Sequence, residues 1–111
     1  MIDVAGNQGE HLMQLEITAT DNGYRLEGEL DMATAGALTE LLLTASGGNA
    51  PLVLDFSGVS FMDSSGLRAL LEGAGLPNGG APVVVQDPSP QVRHLFEITI
   101  PDGVPGLEIR P

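Results

Sequence analysis

Two adjacent serines in the segment SFMDSSGLRALL (60–71) are the residues best placed to do chemistry. They stand between an aspartate and a glycine, where an apolar run ends and a helical pattern begins. Hydroxyl groups at such a position could cap a helix, attack a substrate or accept a phosphate. The rest of the chain has to distinguish these three roles.

Helix capping is the simplest of the three. Asp and Ser are favoured just before a helix because a side-chain oxygen accepts a hydrogen bond from an otherwise unpaired backbone N–H. Asp63 or Ser64 could cap the helix that follows them, and Asp31 or Thr34 could cap an earlier helix. One side chain is enough for each cap, so Ser65 is surplus to this role.

Catalysis by the serines is disfavoured by their surroundings. The sequence MDSSG does not match the G-x-S-x-G turn of the α/β-hydrolases. A serine nucleophile also needs a base, and the two histidines are His11, in a predicted tail, and His94, which we expect on the surface of the last helix. The acidic residues form neither an H-E-x-x-H motif nor a calcium loop, and no glycine-rich phosphate loop is present. Without cysteine there is no disulfide and no thiolate ligand. We expect a protein that is not an enzyme, with no metal and no cofactor.

Phosphate acceptance is the remaining role. A phosphoserine adds about −1.5 to −2 charges and three acceptor oxygens. At a helix N-terminus it would meet free N–H groups and the positive end of the helix dipole, so the fold should tolerate it. Beside Asp63 the added charge would change an exposed edge, and such a change can switch the docking of a partner protein.

The charge balance limits the class of partner. Fifteen acidic residues face four arginines and no lysine, which gives a formal net charge of −11. Because nucleic-acid binding needs clustered basic residues, we expect no nucleic-acid partner, and an anionic membrane surface is disfavoured for the same reason. We see no signal peptide and no apolar run near the ~20 residues that span a bilayer. These features predict a cytoplasmic protein without membrane insertion, and they leave the oligomeric state open.

Hydrophobic periodicity predicts a single α/β domain. Two alternating segments, 13–19 and 24–30, are joined by Asp-Asn-Gly and predict a β-hairpin. Continuous apolar runs at 52–56 and 82–85 predict strands that are covered on both faces. The other predicted elements are helices at 33–45, from residue 64 and at 89–97, and a possible edge strand at 107–109.

This order of elements predicts a mixed, mostly parallel sheet of four to five strands with about three helices. In such sheets functional groups collect where strands lead into helices, at the carboxyl ends of the strands. The turns at 31–34 and 63–66 are two such places, and we expect them to lie near each other on one edge. Residues 1–11 are predicted to be a flexible tail.

Three segments of the chain resemble a STAS domain, and more narrowly the bacterial anti-sigma factor antagonists. They are GELDMATAGAL (28–38), LVLDFSGVSFMDSSGLRALLEG (52–73) and PSPQVRHLFEIT (88–99). The resemblance implies one STAS domain over 1–111. It also implies a partner switch, in which the unphosphorylated protein binds an anti-sigma factor that is also a serine kinase and so frees a sigma factor. Phosphorylation breaks that complex, and a separate serine phosphatase restores it.

Carried over by position, the resemblance makes Ser65 the phosphate acceptor, with Ser64 as the second choice. The partner-binding residues that we predict around it are Asp31, Thr34, Asp63, Ser64, Gly66, Leu67 and Arg68. The chain departs from the family in the glycine-rich segment 72–82, which looks about one helical turn short, and in lacking the family's usual C-terminal helix.

Two other functions remain open from the sequence. The domain could be a constitutive docking subunit of a stress-signalling complex or of a lipid-transport ATPase complex, with the serines acting only as caps. It could also be a sensor of a nucleotide or another small molecule, which the sequence supports only by analogy with the family.

Overall fold

The computed structural model describes residues 15–45, 50–74 and 82–111. After an initial hairpin, strands and helices alternate along the chain. The strands are β1 (Leu15–Ala19), β2 (Gly23–Leu30), β3 (Leu52–Met62), β4 (Val83–Gln86) and β5 (Leu107–Arg110), and the helices are α1 (Ala35–Ala45), α2 (Ser64–Ala74) and α3 (Pro90–Thr99).

The five strands form one sheet in sequential order, β1-β2-β3-β4-β5. The β1–β2 pair is antiparallel and turns at Asp21 and Asn22, as the hairpin signal predicted. The pairs β2–β3, β3–β4 and β4–β5 are parallel, because a helix connects each strand to the next. The prediction of a mixed, mostly parallel sheet with three helices is therefore confirmed.

The strand β3 is longer than its apolar run predicted. It continues past Phe56 to Met62, and its second half pairs with the end of β2. Ser57 and Gly58 look like a turn in the sequence, but they lie within the strand. The pairing register between the two strands shifts next to Gly28, whose φ of 118° is one that glycine adopts readily. The extension brings the two strands to a common end at Leu30 and Met62.

One cluster of buried side chains joins the sheet to all three helices. Its members share low exposure and apolar character; among them are Leu26, Leu30, Leu38, Leu42, Leu54, Phe56, Val59, Leu67, Leu70, Val85, Val92 and Phe96. Helices that follow successive parallel strands in one direction lie on the same side of the sheet when their crossovers are right-handed. The cluster is therefore the core between the helices and that side of the sheet.

The expectation that both apolar strands are covered on both faces is correct for β4 and wrong for β3. Val83, Val84 and Val85 are all buried in β4. In β3, Leu54 and Phe56 are fully buried, but Val53 and Asp55 between them are half-buried. One face of β3 therefore retains contact with solvent, which the aspartate in its middle requires.

Of the two ends of the chain, the structure describes only the C-terminal one. The predicted tail, 1–11, lies outside the described residues. Residues 100–111 contain β5 and no helix. None of the helices in the described ranges is both long and apolar enough to cross a membrane.

Candidate functional site

The two turns singled out by the sequence lie side by side. Leu30 at the end of β2 is paired with Met62 at the end of β3. The backbone N–H of Asp63 donates to the carbonyl oxygen of Leu30 at 3.1 Å. Because β2 and β3 are parallel neighbours, the turns 31–34 and 63–66 leave the same end of the sheet together.

Asp63, rather than Ser64, caps helix α2. Its Oδ1 accepts hydrogen bonds from the backbone N–H groups of Ser65 at 2.8 Å and Gly66 at 3.2 Å. Its carbonyl oxygen accepts the N–H of Leu67 at 3.0 Å, the first turn of the helix. The two serine hydroxyls are therefore not needed to start the helix. The expectation that a phosphate would meet free N–H groups here is wrong for Ser65 and Gly66, since the Asp63 carboxylate already binds both of these groups.

We predict that Asp63→Ala will destabilise the domain by about 1 kcal/mol, because two N–H groups at the start of α2 lose their acceptor. Ser64→Ala is the matched control and should change the free energy of unfolding by less than about 0.5 kcal/mol. Urea unfolding of both variants measures the difference. An equal loss of stability in the two variants would mean that Ser64 shares the capping role.

The turn before α1 is held by its own side chains. The Oδ1 of Asp31 accepts the N–H groups of Ala33 at 3.0 Å and Thr34 at 3.2 Å. The Thr34 hydroxyl donates to the carbonyl oxygen of Glu29 at 2.7 Å and accepts the N–H of Asp31 at 3.0 Å. Thr34 is only 5% exposed, so its place is inside the turn, where it leaves little surface for a partner to contact.

Gly66 lets helix α2 begin directly against the end of β2. A Cβ atom at this position would lie 2.5 Å from the carbonyl oxygen of Leu30 and 2.8 Å from its Cβ. Leu67, the next residue, is buried in the core. These two residues therefore fix where the serines stand, and both are themselves buried in the free protein.

We predict that Gly66→Ala will destabilise the domain by about 1–3 kcal/mol, because the methyl group must displace the backbone of β2. Gly36→Ala is the matched control, since a Cβ at that position on α1 meets nothing within 4 Å. That control should stabilise the domain by about 0.5–1 kcal/mol. Thermal unfolding of both variants provides the comparison, and a stabilised Gly66→Ala variant would contradict the close contact.

The serines and Arg68 form the outer surface of the site. Ser64 is exposed, Ser65 is half-buried, and neither hydroxyl has a hydrogen-bond partner within the described ranges 15–45, 50–74 and 82–111. Arg68 projects from the next turn of the helix, and its Nε lies 3.0 Å from Oε2 of Glu72. The geometry thus presents free hydroxyl groups beside one cation that is already paired.

A protein-family model described as "Mlab, STAS domain" matches residues 13–106, most of the chain. The chain belongs to the STAS-domain family. Among solved structures it is similar to an anti-sigma factor antagonist from Mycobacterium paratuberculosis, with 28% identity, a TM-score of 0.60 and coverage of 85% of this chain and 83% of that chain. It is also similar to the anti-sigma factor antagonist SpoIIAA in its unphosphorylated form, with 22% identity, a TM-score of 0.53 and 86% coverage of each chain. The second similarity is one of fold alone.

This STAS domain exposes two apolar side chains beside the serine turn that the sequence analysis did not select. Met32, directly after Asp31, is 80% exposed, and Phe61, just before Met62, is 46% exposed. Phe61 is paired with Glu29 across β2 and β3. From sequence alone, large apolar residues are expected in the core, so only their exposure in the folded domain marks these two as candidate contacts.

A groove in this STAS domain lies away from the serine turn. It has a volume of about 320 Å³ between α3 and β5, with Phe96, Ile100, Leu107 and Ile109 among its lining residues. None of the predicted site residues lines it. Over the described parts of the chain, no three His, Asp or Glu side chains are grouped closely enough to hold a metal ion.

Proposed function

We propose that this STAS domain is an anti-sigma factor antagonist that acts as a phosphorylation-controlled docking module in the cytoplasm, without enzymatic activity of its own. In its unphosphorylated form it binds an anti-sigma factor that is also a serine kinase and so frees a sigma factor. Phosphorylation of Ser65 releases the kinase, and a serine phosphatase reverses the modification. The similarity to the anti-sigma factor antagonist from Mycobacterium paratuberculosis supports this role.

The observation behind this proposal is that Asp63 caps helix α2 and the two serine hydroxyls do not. Asp63 supplies the helix cap, so the Ser65 hydroxyl can be modified without removing a hydrogen bond that the fold requires. The hydroxyl stands in the first turn of α2, at an edge formed by two strand ends. A modification there changes the surface and leaves the core cluster untouched.

The phosphoryl transfer needs nothing from this chain except the hydroxyl group. Ser65 Oγ attacks the γ-phosphorus of a nucleoside triphosphate bound to the kinase, and a new P–O bond forms. The bond from that phosphorus to the bridging oxygen breaks, and the nucleoside diphosphate leaves. The hydroxyl proton passes to a base on the kinase. Ser64 is the second candidate because it is the more exposed of the two.

The docking surface for the unphosphorylated form combines apolar and charged groups. Met32, in the turn after β2, and Phe61, next to the last residue of β3, supply exposed apolar area near these strand ends. Asp31 and Arg68 supply charges of both signs at the same edge, and partner contact there would desolvate them. A phosphate added between these groups would place about two negative charges inside the interface, which opposes binding.

A capture experiment tests this function against constitutive docking. The full chain and its Ser65→Asp variant are immobilised, exposed to extract from the source cells, and the bound proteins are identified by mass spectrometry. We expect the unmodified chain to retain an anti-sigma factor with kinase activity and the variant to retain much less. Equal capture of transport-ATPase or stress-complex subunits by both chains would contradict the switch and favour the constitutive docking subunit.

A further inference from the structure

Arg68 stands on the same helix as the proposed phosphate. It lies on α2, three residues after Ser65, and residues at that spacing are neighbours on a helix surface. The other three arginines stand on different elements: Arg25 on β2 is bound to Glu27 and Asp55, Arg110 on β5 is bound to Glu108, and Arg93 is on α3. Within the described parts of this lysine-free chain, Arg68 is the arginine on the same helix as Ser65, and it is the cation that we expect a phosphate there to bind.

The Arg68 side chain is held loosely enough to change partners. Its ion pair with Glu72 spans one helical turn, and the two side chains are 80% and 64% exposed. Exposed pairs of this kind contribute little to stability, and a dianion on the N-terminal side of the arginine is a stronger competitor than one carboxylate. Ser65 and Glu72 both stand about one helical turn from Arg68 on α2, a spacing at which side chains are neighbours.

The start of α2 offers a phosphate little other compensation. The N–H groups of Ser65 and Gly66 are already bound to the carboxylate of Asp63. A phosphate on Ser65 would have to displace that carboxylate to reach them. The Asp31 carboxylate likewise binds the N–H groups of its own turn, and it adds a second negative charge at this edge.

We propose that a phosphate on Ser65 takes Arg68 from Glu72, which withdraws the site's cation from the docking surface and leaves Glu72 without its partner. This inference rests on the proposed function, because it describes what the modification does to the site. Before modification, the outer face of α2 carries a neutral Arg68–Glu72 pair. Afterwards it carries about two net negative charges spread over two helical turns.

The test uses protein in which phosphoserine is incorporated at position 65 during translation, so no kinase is needed. Phosphorus NMR measures the second pKa of the phosphate, which is about 6 for an isolated phosphoserine. A nearby cation favours the dianion, so we expect this pKa to be lower in the parent chain than in Arg68→Gln by roughly 0.3 unit. Arg93→Gln, the same change on another helix, is the control and should leave the pKa unchanged.

A second substitution isolates the exchange of partners. Glu72→Gln should lower the phosphate pKa further, because it removes the competitor for Arg68. This extra decrease should disappear when Arg68→Gln is also present. Equal pKa values in the parent chain and Arg68→Gln would overturn the proposal. A decrease from Glu72→Gln that persists in the Arg68→Gln variant would also overturn the proposal. Direct repulsion between the Glu72 carboxylate and the phosphate would then explain the decrease without any exchange of Arg68.

These results are independent of whether a kinase modifies Ser65 in the cell. A failed capture experiment with a positive pKa result would reject the partner switch and keep the Arg68 exchange as a property of the phosphorylated chain. The reverse combination would reject the exchange and keep the switch.

Discussion

Replacing Ser65 with alanine should abolish phosphorylation by the cognate kinase while leaving the fold and partner binding intact. The hydroxyl is the only group on this side chain that can accept a phosphoryl group. Asp63 caps α2 without it, so the cost in stability should stay below about 1 kcal/mol. The measurement is transfer of labelled phosphate from the kinase to the variant, together with the affinity of the unlabelled variant for that kinase.

Ser64→Ala is the matched control for this result. It removes an equivalent hydroxyl one position earlier in the same helical turn, and it should be labelled as well as the parent chain. Loss of labelling in Ser64→Ala with full labelling in Ser65→Ala would move the acceptor to Ser64. A Ser65→Ala variant that unfolds would show that the hydroxyl is structural and would contradict the switch.

Leu54→Ala should have the largest effect on stability, about 2–5 kcal/mol. Leu54 is fully buried, and it lies on the central strand β3, paired with Tyr24 of β2 and Val85 of β4. Removing its side chain leaves a cavity in the cluster that joins the sheet to the helices. Because a domain of this size has only about 5–15 kcal/mol of net stability, the variant should unfold at much lower denaturant concentration.

The control for the core substitution is Ile98→Ala on helix α3. Ile98 is 63% exposed, so its truncation should change the free energy of unfolding by less than about 0.5 kcal/mol. Urea unfolding followed by circular dichroism compares the two variants. A cost below 1 kcal/mol for Leu54→Ala would mean that the cluster around β3 is not the core on which the fold depends. The contrast between Leu54→Ala and Ser65→Ala separates a core position from a switch position.

The order of the elements was predictable because each one has a strong local signal. Alternation and an Asp-Asn-Gly turn predicted the hairpin, and leucine spacing predicted α1 and α2. Helix α1 begins at Ala35 and not at residue 33 as predicted, because Asp31 and Thr34 hold residues 32–34 in a turn. The second half of β3 was missed, because serine and glycine are poor strand formers and only pairing with β2 keeps them extended.

The candidate site was predictable in its location but not in its details. Parallel pairing of β2 and β3 follows from the order of elements, and it places the two turns together. Which oxygen caps α2 was not predictable, because Asp63 and Ser64 are both good capping residues. The contact of Gly66 with Leu30 and the exposure of Met32 and Phe61 depend on how the strand ends pack, which no local pattern reports.

The most direct test of the switch is the mass of the protein isolated from its own cells, followed by fragmentation to locate any added group. We expect that a fraction of the molecules carries one phosphate, that this phosphate is on Ser65, and that the fraction changes with growth conditions. A chain that stays unmodified at both Ser64 and Ser65 under all growth conditions would contradict the switch and leave a constitutive docking domain.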